Sequence, residues 1–174
     1  QNGPSTHPSP PPPKTWQAAL SQYKTKADFI AAWKASRPPQ QYAGMEFDAL
    51  LMPLGVLAPV TAFITHVLFG GITGGRWLGK SFSATSEVGF NRFSKAGSKI
   101  KFQATVQPSR LDGKPALALV YSNGDSTVWG SVMHMRDELR EVAPGVWLGL
   151  GSMALTGGML NSAPFIMFPT RRAR

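Results

Sequence analysis

The 174-residue chain contains no cysteine. This excludes disulfides, thiolate catalysis and cysteine-ligated zinc or iron–sulfur sites. Acid is scarce: nine Asp and Glu face 18 Lys and Arg, and charged residues make up 16% of the chain, against about 25% in ordinary soluble domains. The three histidines form neither a His-x-x-x-His nor a His-x-x-Glu spacing. Neither a metal nor a cofactor is therefore expected. A two-histidine site would need the fold to bring His66 and His134 together with Asp48 or Asp137. A Gly-x-Ser-x-Gly hydrolase elbow is also missing. So is a clean hydrophobic run of membrane-spanning length. Ala49–Gly75 and Val142–Thr170 carry no charge, but Pro53, Pro59 and several glycines break the first, and Gly149, Gly151, Gly157, Gly158 and Pro164 break the second. Both read as buried or pocket-lining segments, with a membrane contact around 50–72 as the alternative.

What is present is a hydrophobic fraction of 43% and a net charge of +9. The first excludes a wholly disordered chain. The second disperses as +2 over residues 1–48, +4 over 76–141 and +3 in the tail through Arg171, Arg172 and Arg174. A nucleic-acid binder concentrates such charge on one face with interleaved aromatics. No such signature accompanies the stretch from Arg92 to Lys114, so nucleic acid is not the expected partner. A solvated basic face, able to attract an anionic headgroup or an acidic protein, fits better.

Along the chain, residues 1–14 form a Pro-rich arm, 15–170 a single domain and 171–174 a basic tail. The chain starts at Gln1, and a processed terminus would suit an exported or organellar protein. Within Thr15–Ser36, Trp16, Ala19, Leu20, Tyr23, Ala27, Ile30 and Trp33 recur at helical spacing. A break at 25–28 would make two shorter helices, and Arg37-Pro38-Pro39 ends the run. Ala58–Phe69 also reads as helical. From Arg76 onward the period becomes two. Strands are expected over 76–82, 88–93, 99–107, 115–122, 127–135, 137–142, 146–154 and 164–168. Between them lie turns at Asp112-Gly113, Asn123-Gly124 and Ala143-Pro144-Gly145-Val146. In the third strand Ile100, Phe102, Ala104 and Val106 face one way; in the fourth Leu117, Leu119 and Tyr121 share a face. The fold class is mainly β, an antiparallel barrel behind an N-terminal helical segment.

Gly74 to Ser81 matches the P-loop spacing Gly-x-x-x-x-Gly-Lys-Ser. A P-loop, however, follows a buried parallel strand and opens a helix. This one runs into an all-β pattern, so nucleotide binding is set aside.

Gly75-Arg76-Trp77-Leu78-Gly79-Lys80 resembles the Gly-x-Trp element of lipocalins and other calycin-like barrels, where the Trp closes one end of the barrel. Residues 135–149 add an Asp-Glu-Leu strand and a Gly-aromatic-Leu-Gly return. The pattern is similar to bacterial and photosynthetic-lineage proteins that bring no known activity with them, over roughly residues 44–168. In a lipocalin the element stands near the start, whereas here a long helical stretch precedes it.

The lipocalin resemblance implies a non-catalytic module binding a small hydrophobic ligand such as a fatty acid, isoprenoid or pigment. Trp77, Phe102, Leu119, Tyr121 and Trp147 would line the barrel or its closed end, and Arg76 or Arg136 would meet a polar group. On β-strand parity, Arg136, Glu138 and Arg140 share one face while Asp137, Leu139 and Glu141 share the other. The first face could be a surface ion-pair ladder. Alternatively, Asp137 points inward and pairs a buried arginine such as Arg76 or Arg92, fixing structure or anchoring a ligand. His66 is expected as a satisfied polar group on a buried helix and His134 as a strand residue. Two other functions remain open. One is an accessory subunit of a larger assembly with protein or membrane-surface contacts; the other is an isomerase or cyclase acting on an apolar substrate through Asp137 or Tyr121.

Overall fold

The structure, a computed structural model, describes residues 18, 21–55, 59, 63, 75–95, 97–121, 134–154 and 157–170, without the side chains of Ser98 and Lys99. The Pro-rich arm, the basic tail, most of the helix expected over 58–69 with His66, and the turn expected at 123–124 lie outside these residues.

Among the described residues, one delimited α-helix, eight strands and a short 3-10 helix (Gly158–Asn161) follow in order. The α-helix and strands are α1 (Lys26–Ala35), β1 (Glu46–Leu51), β2 (Trp77–Phe82), β3 (Val88–Phe93), β4 (Gly97–Pro108), β5 (Pro115–Val120), β6 (Arg136–Ala143), β7 (Val146–Ser152) and β8 (Ala163–Pro169). Every strand pairs antiparallel with its sequence neighbours, and β1 also pairs with β8, closing the barrel. Closure removes both sheet edges. Eight strands leave an interior that side chains fill or that holds one small ligand. The uncharged stretch 142–170 is largely β7 and β8, buried in this barrel. Among the described residues no helix is long and apolar enough to cross a membrane.

Two turns form as their residues demand. Gly145, at φ 75, supplies the left-handed position of the Pro144–Gly145 turn. Asp112 precedes Gly113, and its Oδ1 accepts from Lys114 N at 3.0 Å. The strand expected over 127–135 falls mostly outside the described residues. Its last two members are not strand, and His134 is an exposed turn residue at φ 43, a conformation an extended strand does not accommodate.

The helical stretch breaks at 23–25, just ahead of the break expected at 25–28. Residues 18, 21 and 22 are helical, 23–25 are not, and Thr25 caps α1 in a reciprocal capping box with Asp28. The break resets the helical phase. Phe29 and Trp33, four residues apart, become the buried face, while Ala27 of the anticipated stripe is exposed. Tyr23 packs edge-on against Phe29 with ring centroids 5.3 Å apart. This face covers the outside of the barrel over Leu148, Leu150 and Ile166.

Under the helix lies a correction. Arg136, Glu138 and Arg140 do share the outward face of β6, but they are not a surface ladder: Glu138 and Arg140 are both 0% exposed. Arg140 stacks 3.9 Å over the Trp33 ring and forms a two-pronged pair with Asp112, each N–O distance 2.8 Å. Arg136 Nε donates to Glu138 Oε1 at 2.9 Å. The outer charges therefore fasten α1 and the β4–β5 turn to the barrel. They are buried because a helix, invisible to strand parity, sits on top of them.

Inside, the barrel differs from end to end. Phe47, Phe82, Phe102 and Trp147 fill one half with mutually tilted or edge-on rings, and Tyr42 closes it from outside β1. Two glycines make room for rings. A Cβ at Gly149 would collide with the Phe165 ring, and one at Gly89 with the Phe102 ring. Phe102 and Ala104 of β4 face inward as the alternation requires, whereas Val106 is exposed where β4 runs on towards its turn. The other half is hollow.

Candidate functional site

The hollow half is a cavity of about 90 Å³. A single water needs about 10–15 Å³ on the same measure, so there is room for a small molecule rather than one solvent molecule. It is bounded by the strand ends joined through residues 52–76, 94–96, 121–135 and 153–162. Most of its wall is apolar: Leu51, Phe93, Ile100, Met135, Met153, Ala163 and Phe165. Of its polar members, Trp77, Lys80, Asn91, Tyr121 and Asp137 converge on one point, while Ser152 stands apart with its Oγ donating to Arg136 O at 2.9 Å.

A backbone irregularity builds this point. Trp77 pairs with Phe93 but Gly79 pairs with Arg92, so β2 carries an extra residue at 78. Gly79 sits at φ 150 with its Cα against the carbonyl of Phe47, where any Cβ would clash. The bulge shifts the strand's parity. Trp77, Lys80 and Phe82 all face the interior, although simple alternation would put Trp77 and Lys80 on opposite faces. The Gly-Lys-Ser that matched a P-loop is this bulged strand, which rules out the helix N-terminus a phosphate loop needs. Across the cavity, Ile100 at φ 56 is an outlier for a β-branched residue, at a second bulge where β4 slips against β3.

Lys80 is 2% exposed. Its ammonium spends all its donors: Nζ reaches Asp137 Oδ2 at 2.6 Å, Tyr121 OH at 2.7 Å and Asn91 Oδ1 at 2.8 Å. Tyr121 OH donates to Asp137 Oδ2 at 2.6 Å and accepts from Asn91 Nδ2 at 3.2 Å. Trp77 Nε1 donates to Asn91 Oδ1 at 3.1 Å. The rings of Trp77, Phe102, Tyr121 and Phe165 surround Nζ with centroids 5.3–5.5 Å away, within cation–π range. Desolvation pulls the Lys80 pKa below its ordinary value, and the charge and hydrogen bond of Asp137 oppose that shift. Tyr121 is pushed well above 10.0, first by burial, then by the adjacent carboxylate.

Asp137 thus points inward with Leu139, as parity requires, but its partner is Lys80 rather than Arg76 or Arg92. Arg76 is exposed in the segment before β2. Arg92 stands outside the barrel, bonded to Phe47 O, Asp48 and Thr170. Of the residues expected at the site, Trp77, Tyr121 and Asp137 meet in the cavity. Phe102 backs the Lys80 ammonium, and Leu119 belongs to the same buried interior. Trp147 fills the opposite end, against Phe47 at 4.1 Å between centroids. Arg136 faces outward to Glu138 and Gln107, so neither of the expected arginines lines the cavity. Trp77 stands in the hollow end, and it is Trp147 that plugs the barrel.

Sequence reasoning missed Lys80 and Asn91. Asn91 shares the parity of Phe93, a signal available from the sequence. For Lys80 the signal was Gly79, a lone glycine inside a strand, which often marks a bulge. Among the described residues no group of three metal-ligating side chains gathers. No protein-family profile, no curated protein and no solved structure matches the chain.

Proposed function

We propose that the protein is a lipocalin-like binding module that holds one small, largely apolar molecule in the hollow half of its barrel. The supporting observation is the contrast within a single cavity, whose hydrophobic wall surrounds one buried polar cluster. Binding sites for small molecules combine these features, the wall providing affinity and a few polar atoms fixing orientation. A purely structural ion pair would need no adjoining space.

An enzyme acting through Tyr121 or Asp137 is the weaker reading. A general acid or base works best with a pKa near the working pH, and burial holds the Tyr121 proton far above that range.

Native mass spectrometry of protein taken from its source should reveal an apolar adduct. Ala163→Trp, which places an indole into the cavity wall, should abolish both the adduct and the fluorescence of an added hydrophobic dye. An adduct-free protein whose dye fluorescence is indifferent to that substitution would refute the proposal.

A further inference from the structure

We infer that the site selects the polar end of its ligand: it takes a neutral hydrogen-bond donor, an alcohol on an apolar chain, in preference to a carboxylate or an amine. This rests on the cavity being a ligand site, as proposed above.

The argument begins with which atoms remain free. All three Lys80 protons are engaged, on Asp137, Tyr121 and Asn91. Asp137 Oδ2 receives both Lys80 and Tyr121. Among the described residues, nothing bonds Asp137 Oδ1. Asp137 is 7% exposed and borders the cavity, and Oδ1 lies 3.1 Å from where a Cβ on Gly151 would stand. The open polar atom is therefore an acceptor, and the missing side chain of Gly151 is what keeps it reachable.

Charge makes the same selection. Lys80 and Asp137 sum to zero wherever their shared proton rests, since that proton lies between Nζ and Oδ2 and leaves Oδ1 an acceptor. Lys80 is the only cation lining the cavity among the described residues. A carboxylate would bring an uncompensated charge into an apolar space and face an oxygen that cannot donate to it. An ammonium would be buried beside Lys80 without a counter-charge of its own. Both are strongly disfavoured. A hydroxyl adds no charge and donates to Oδ1. The fatty acid among the expected ligands is thereby the poor candidate, and the isoprenoid or lipid alcohol the good one.

The test uses the full chain and four probes with the same chain length: 1-octanol, octanoate, octylammonium and octane, titrated by calorimetry or by NMR at neutral pH. Octanol should bind at least about tenfold tighter than either ion, a ratio equal to one well-placed hydrogen bond to a charged group. It should also exceed octane. Gly151→Ala sets a methyl against Oδ1 while leaving the Lys80–Asp137 pair intact, and it should reduce octanol to the level of octane. Asp137→Asn should likewise erase the preference, with unfolding monitored separately because Lys80 loses its partner. Octanoate binding as tightly as octanol, or an octanol advantage that survives Gly151→Ala, overturns the inference and leaves the cavity reading standing. Binding of none of the four, octane included, overturns both.

Discussion

The two halves of the barrel interior are made from the same eight strands but solve different problems. In the filled half, Phe47, Phe82, Phe102 and Trp147 pack ring against ring, and the Lys80 ammonium reaches their border at Phe102. In the hollow half, a charged pair is brought inside, wrapped in aromatic rings, and left beside an opening. Packing drives the first through apolar burial and dense contact. The second carries a desolvation cost that the attraction between Lys80 and Asp137 only partly offsets. A region that only needed to hold the fold together would resemble the first half. That the second departs from it, next to a cavity, is the main physical reason to place function there.

The contrast can be challenged by substitution. Trp147→Ala should destabilise the fold by about 3–5 kcal/mol, since a fully buried indole leaves a cavity behind, while probe binding in the surviving folded fraction is retained. Lys80→Met should cost a comparable amount, about 3–5 kcal/mol, because Asp137 remains buried without its partner. The double change Lys80→Met, Asp137→Leu should recover most of that loss while losing selectivity for the alcohol. Denaturant unfolding of the three variants separates the cases; a double variant no more stable than Lys80→Met would mean that the pair itself holds the barrel closed.

A subtler comparison uses two glycines on one strand. Gly149→Ala drives a methyl into the Phe165 ring, which backs the cavity wall, and should cost about 1–3 kcal/mol. Gly151→Ala, two residues on, comes closest to Asp137 Oδ1 at 3.1 Å and otherwise makes ordinary contacts at 3.7 Å with Ala163 O and the Phe165 ring. Its stability should stay within about 1 kcal/mol of the parent, helped by the smaller entropy of the unfolded chain. Similar losses at both positions would mean that the space beside Asp137 Oδ1 is packed as tightly as that beside the Phe165 ring.

The smallest effect is a slope. Tyr121 holds its proton well above 10.0 through burial and the neighbouring carboxylate, and burial pushes Tyr23 up to about 12. Both folded pKa values exceed the unfolded ones. The folded state therefore keeps protons that the unfolded chain loses above pH 10.0, and stability falls as pH rises through that window. Lys80 works in the opposite direction. Its folded pKa lies below 10.5, so the unfolded chain binds the extra proton and stability climbs with pH up to that value. Tyr121→Phe should remove about one proton from the alkaline fall, roughly 1.4 kcal/mol per pH unit. Denaturant midpoints followed into strong alkali would show it, and an unchanged slope would mean that Tyr121 titrates alike in both states.

Much of this arrangement was legible before folding was considered. The change of period at Arg76, the Asp112-Gly113 and Pro144-Gly145 turns, and the inward faces of β5 and β6 follow from residue order. Side chains alternate along a strand, and only certain residues suit tight turns. The inward position of Asp137 belongs with these, as does the break before α1, where Thr25 and Asp28 form a cap that needs no distant partner. What residue order could not supply was anything that depends on how remote strands register. The inward turn of Lys80 requires the bulge at Gly79, held open by the Phe47 carbonyl on β1. Its pairing with Asp137 requires the closed barrel to bring β2 opposite β6. Arg140 and Glu138 looked like surface charges until α1 covered them. Periodicity is a local property, whereas burial and charge pairing are set by closure. The absence of cysteine and the shortage of acid limited the chemistry from the start, but only the barrel decided that one of those few carboxylates would be held against a lysine at the edge of a cavity.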